Sequence, residues 1–132
     1  MYPGSAKALL AASSALVFGL VVGVPAAAAV GSDTTAPSTP TGLHQVDPDA
    51  SPSVSTLAWN AATDNTGAIA HYWVKNLDLG NRSRPTVTSM RVVGLLSPYC
   101  ATLPETIHVA VQAVDAAGNV SAFSDPIVVK IN

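Results

Sequence analysis

Residues 106–124 read TIHVAVQAVDAAGNVSAFS. Ile107, Val109, Val111 and Ala113 alternate with His108, Ala110 and Gln112, a period of two that places the first set on the buried face of a β-strand. The alternation stops at the run Asp115-Ala-Ala-Gly-Asn119 and an apolar pattern resumes in DPIVVKIN at the end of the chain. Asp and Asn hydrogen-bond their own backbone, and a glycine such as Gly118 accepts a positive φ, so this run reads as a tight connection between two strands.

The rest of the chain repeats the pattern. Segments 42–46, 54–59, 70–76, 87–93, 106–114 and 126–131 are expected strands, with a short extra one near 79–83. Between them stand DPDASP, AATDNTGA, LDLGNRSRP and LLSPYCATLPE, each holding Gly, Pro, Asn or Asp. No stretch beyond residue 40 sustains a helical period. Six or seven short strands in about 90 residues pack as a two-sheet antiparallel β-sandwich, so the fold class is all-β.

The first residues are of another kind. Lys7 precedes the uncharged run ALLAASSALVFGLVVGV, and Pro25 to Ala29 close it with small residues. A cation, an apolar stretch and a small-residue exit are the parts of a secretory signal peptide, so residues 1–29 are expected to be a helical leader. Residues 30–40, VGSDTTAPSTP, are expected as a Ser/Thr/Pro linker, and 41–132 as the domain. Five of the six Lys and Arg and all eight Asp and Glu follow the leader, leaving a formal charge of −3 there. That balance argues against a nucleic-acid partner or an anionic membrane surface. A secreted chain is implied, with no membrane association once the leader is cleaved.

With its pieces in this order the chain resembles a fibronectin type III domain of secreted bacterial proteins. The residues that carry the resemblance are DTTAPSTPTGL, LAWNAATDNTG with Trp59, HYWVKN, VVGLLSP and VAVQAVDAAGNVSAFSDPI. The resemblance implies an immunoglobulin-like sandwich, with Tyr72 and Val74 facing inward and His71, Trp73 and Lys75 outward. Leu43, Leu57, Trp59, Met90, Val92, Leu95, Ile127, Val129 and Ile131 are expected to close the core. Two departures from the family stand out: Ile107 occupies the place of its corner tyrosine, and the connection before it is longer than usual. Ser55 falls on the inward parity of its strand, which calls for either a bulge or a buried serine with a hydrogen-bond partner.

Three candidate sites follow. The outward face bearing Trp73, His71 and Lys75, with His108 and Gln112 on the neighbouring strand, offers an aromatic surface for a sugar ring or a protein. The resemblance also brings the loops holding Asp64 and Asn65, and Asp115 and Asn119, to one end of the sandwich. Turn chemistry accounts for these residues, and the alternative is a Ca²⁺ ion, which takes six to eight oxygen ligands. No other cofactor is expected. Cys100 is the only cysteine, so an internal disulfide is impossible and a disulfide-linked homodimer is the remaining covalent option.

Catalysis is not expected. Glu105 is the only glutamate, and no serine or cysteine has a histidine partner at a known spacing. The chain therefore reads as a non-catalytic binding or adhesion module for an extracellular protein or cell-surface polysaccharide. The alternatives are an accessory carbohydrate-binding protein and a structural module dimerised through Cys100.

Overall fold

Seven strands form in chain order: β1 (Thr41–Val46), β2 (Thr56–Asn60), β3 (Ile69–Asn76), β4 (Arg82–Ser83), β5 (Ser89–Arg91), β6 (Thr106–Asp115) and β7 (Ile127–Lys130). One sheet runs β1-β2-β5 and the other β4-β3-β6-β7, with every pairing antiparallel. The chain is thus an all-β, two-sheet sandwich of the immunoglobulin-like kind. The computed structural model describes residues 32–99 and 101–131. The leader expected at 1–29, the start of the expected linker and Cys100 lie outside those residues. Among the described residues no helix is long and apolar enough to cross a membrane.

The alternation in β6 sets the core. Ile107, Val109, Val111 and Ala113 are fully buried, and Val74 and Tyr72 on β3 face the same interior. Leu43, Leu57 and Trp59 meet them from the other sheet, with Val129 and Ile131 closing one side. Trp59 and Tyr72 pack edge to face at 5.4 Å, and the Tyr72 hydroxyl accepts a hydrogen bond from the Ala62 N–H at 3.2 Å. Burying an apolar side chain of this size stabilises the sandwich by about 1.5–3 kcal/mol.

Three local features differ from simple alternation, each for a visible reason. Ser55 is fully buried and partnered: its Oγ accepts from Gln45 Nε2 at 2.8 Å and donates to the Val46 carbonyl at 3.2 Å. Val54 stands in the turn before β2 and is exposed, so β2 begins only at Thr56. The strand expected over 87–93 shortens to Ser89–Arg91, because Val92–Leu95 coils into a 3₁₀ turn that buries Val92 and Leu95. The Val92 N–H reaches the Ser55 carbonyl at 3.0 Å, joining that turn to the segment before β2.

Candidate functional site

On the β4-β3-β6-β7 sheet, Trp73 lies opposite Gln112 and Lys75 opposite Ala110. Trp73, Lys75, Gly80, Arg82, Gln112 and Phe123 line a cleft of about 320 Å³. That volume lies at the lower end of the range for small-ligand sites. Phe123 was hidden in the sequence because it belongs to the irregular segment between β6 and β7, whose register alternation does not predict.

Arg82 qualifies the exposure of Trp73. Its guanidinium carbon stands 4.3 Å from the indole centroid, a cation–π contact that covers one face of the ring. The Arg84 guanidinium lies 6.0 Å from the same ring. Trp73 is therefore half-buried and edge-packed against His71 at 5.3 Å, rather than standing free.

The other expected members of this face divide. His71 shares the parity of Trp73, yet it is only 8% exposed and its Nδ1 meets Arg84 at 3.2 Å. Burial first, and the Arg84 charge second, lower its pKa below the ordinary 6.5. His71 therefore packs edge-on against the indole and does not line the cleft. His108 is captured by Asp78, which accepts from the His108 backbone N–H at 2.7 Å and contacts the ring at 3.1 Å. Gln112 donates its side-chain amide to the Ser121 carbonyl at 3.0 Å, while the Lys75 ammonium has no ion-pair partner among the described residues.

The second group forms at the loop end. Asp64 in the β2–β3 loop and Asp115 at the end of β6 meet Asp33, which precedes β1, so that one oxygen of each lies within 4.8 Å of the others. Asp115 is 2% exposed and organises the β6–β7 turn: its Oδ1 accepts from the Ala117 and Asn119 N–H groups, each at 2.8 Å. Gly118 holds φ at +97°, a value that the turn requires and a side chain resists. Burial raises the Asp115 pKa, but the hydrogen bonds from Asn119, Ala117 and Gly118 outweigh it and hold the group below 3.8.

Asn65 and Asn119 point their amide nitrogens at this cluster. Asn65 donates to Asp33 Oδ1 at 3.0 Å, while Asn119 donates to Asp115 Oδ2 and to the Asp33 carbonyl, both at 2.8 Å. Both amides thus bind neighbouring aspartates through their nitrogens. Asp33 escaped the sequence reading because it stands alone in a segment that looked like a linker. That segment is docked: Pro37 and Pro40 are buried, and the Ser38 N–H donates to the Thr63 carbonyl at 2.8 Å.

The disulfide-linked homodimer expected through Cys100 is withdrawn. The chain has a single cysteine, and it falls outside the described residues. A larger cleft of about 680 Å³, lined by Pro52, Val93, Leu96, Pro98 and Leu103 among others, carries no charged side chain.

No family model matches the chain. It is 35% identical over 129 residues to Chitinase A1 of Niallia circulans, an alignment covering 98% of this chain and 17% of that protein. It is 42% identical over 92 residues to Chitinase Chi52 of Paenibacillus xylanexedens, covering 70% of this chain and 16% of the relative. Among solved structures, Chitinase ChiA74 from Bacillus thuringiensis superposes with a TM-score of 0.60 at 24% identity, covering 76% of this chain and 14% of that one. The chain thus spans less than a fifth of the length of these relatives and corresponds to a small fragment of proteins of that kind.

Proposed function

We propose that the chain is a fibronectin type III-type accessory module that associates with insoluble polysaccharide, chitin first, and does no chemistry on it. The observation that carries this reading is the similarity of almost the whole chain to a segment of a chitinase. The strand order β1-β2-β5 over β4-β3-β6-β7 supports the finer family assignment. Export by the leader at 1–29 belongs to the same proposal, since an insoluble polysaccharide is met outside the cell.

The cleft between Trp73 and Phe123 is the contact surface. Two aromatic side chains supply apolar faces for pyranose rings, while Lys75 and Gln112 supply donors for hydroxyl and acetamido oxygens. Arg82 shields the indole until a sugar takes its place, and an exposed cation–π contact of about 0.5–1 kcal/mol is weak enough to be exchanged.

Co-sedimentation with chitin, cellulose and purified cell wall tests this. The unaltered chain is expected to pellet with chitin, and Trp73→Ala to weaken binding by about tenfold or more, as a central aromatic anchor does. Arg82→Ala uncovers the indole and is expected to tighten binding by about two- to fivefold, the conversion of its cation–π energy. Failure to sediment with any of the three overturns the polysaccharide reading and leaves an extracellular protein as the partner.

A further inference from the structure

Two cations on the Trp73 face stand where a sheet resists them. Lys75 on β3 and Arg82 on β4 are directly opposite each other across the antiparallel ladder, and both line the cleft with Trp73. Like charges paired in this way destabilise a sheet. Arg84 adds a third cation, its guanidinium 6.0 Å from the Trp73 ring. Of the five Lys and Arg beyond residue 29 these three gather here, although that stretch is acidic as a whole.

Among the described residues no acid offsets these charges. The two ion pairs there are His108–Asp78 and Lys130–Asp49, and neither includes Lys75, Arg82 or Arg84. Asp78, in the turn between β3 and β4, is the acid nearest to all three in sequence, yet its carboxylate is taken up by the His108 N–H and ring. Arg84 donates to the His71 Nδ1 at 3.2 Å, a neutral acceptor that leaves its charge uncompensated. Charges on β4 also protect the edge of the sheet, since they discourage a further strand from pairing. That role does not account for Lys75, which lies on an interior strand.

We propose that the Trp73 cleft takes a sugar chain bearing anionic groups, carboxylate or phosphate, with a ring against the aromatic side chains and the acidic group between Lys75 and Arg82. This rests on the reading of the cleft as a polysaccharide surface and adds to it a preference for acidic units over neutral ones. An anion between the two side chains replaces their repulsion with charge-assisted hydrogen bonds, and the guanidinium fork matches carboxylate and phosphate alike. The same exchange clears the cover from Trp73: the anion draws the Arg82 guanidinium off the indole, and the sugar ring takes the face it leaves. Lys75, Arg82, Trp73 and Phe123 line one cleft, so charge and aromatic faces are offered to a single ligand.

The test is co-sedimentation of the full chain with insoluble chitin, with chitin whose primary hydroxyls have been oxidised to carboxylates, and with phosphorylated chitin. At about 0.05 M salt the chain is expected to bind a charged chitin about tenfold more tightly than the neutral one, and the difference to close at about 0.5 M, where exposed charges are screened. The tighter of the two charged polymers identifies the anion. Arg82→Ala is expected to act in opposite directions, tightening neutral chitin by uncovering the indole and weakening the charged polymer by about three- to tenfold. Lys75→Gln is expected to weaken charged binding as well, while its melting temperature rises by roughly 1–4 °C because the like-charge pair is gone. A lower melting temperature there overturns the proposal, since the Lys75 charge would then be compensated within the protein. So does polyglutamate releasing the chain from charged chitin as fully as soluble carboxymethyl-chitin does, because charge without a sugar ring would then suffice. Equal binding to neutral and charged chitin overturns this preference and leaves the polysaccharide reading standing, whereas no binding to any of the three overturns both.

Discussion

Trp59 shows at the scale of one residue how the core is held and where it is imperfect. Its ring is 4% exposed and packs on Tyr72, yet its Nε1–H is buried with no acceptor among the described residues. Trp59→Ala is expected to destabilise the fold by about 3–5 kcal/mol in urea unfolding, a large share of what a domain of this size possesses. Trp59→Phe removes the unsatisfied donor together with part of the ring, and the two effects oppose each other. A loss of no more than about 2 kcal/mol is therefore expected. Equal losses in both variants would mean that the indole N–H has a partner in solution.

Among the elements, β1 depends on one backbone position. Its register against β2 shifts between Thr41 and His44, and Gly42 within that bulge has φ +66°. A Cβ built there would lie 2.6 Å from Asn60 Nδ2, an exposed amide that can swing aside, so it is the backbone conformation that requires glycine. Gly42→Ala is expected to lower stability by about 1–3 kcal/mol, measured as a fall in the urea midpoint without a change of slope. The β6–β7 connection is held differently. Ser121 and Ser124 accept the Ala113 and Val111 N–H groups at 2.9 and 3.0 Å, so two hydroxyls satisfy donors on β6 beyond the reach of β7. The serines of residues 119–125 looked like loop composition in the sequence, whereas their register against β6 gives them a structural task.

Acid stability is set at the scale of the whole molecule. His71 has a folded pKa below its ordinary 6.5 because it is buried and faces Arg84. Asp78 is lowered below 3.8 mainly by the His108 backbone N–H and next by the His108 ring, and Asp115 lies below 3.8 for the reasons of its turn. In each case the unfolded chain binds protons more readily than the folded one, so stability is lost as the pH falls. The melting temperature is expected to decline first as the pH drops below 6.5 through the folded value of His71, and again below 3.8. His71→Gln is expected to remove the first decline and leave the second. A flat melting profile between pH 7 and 5 in the unaltered chain would contradict the burial of His71.

The alternation of β6, the apolar parity around Trp59 and the turn residues between strands were sufficient to specify the sandwich and nearly all of its core. Those signals are local, since a strand's period and a turn's φ requirement are written in adjacent residues. The sites were less legible because their members come from distant segments. Sequence placed Asp64 and Asp115 together by resemblance, but only tertiary packing brought Asp33 to them and aimed the amide nitrogens of Asn65 and Asn119 at the cluster. Likewise, strand parity put Trp73 on the outer face, while the fold alone laid Arg82 over its ring and set Phe123 across the cleft. Backbone periodicity determines which way a side chain faces, and what it faces depends on which loops the completed sheet holds beside it.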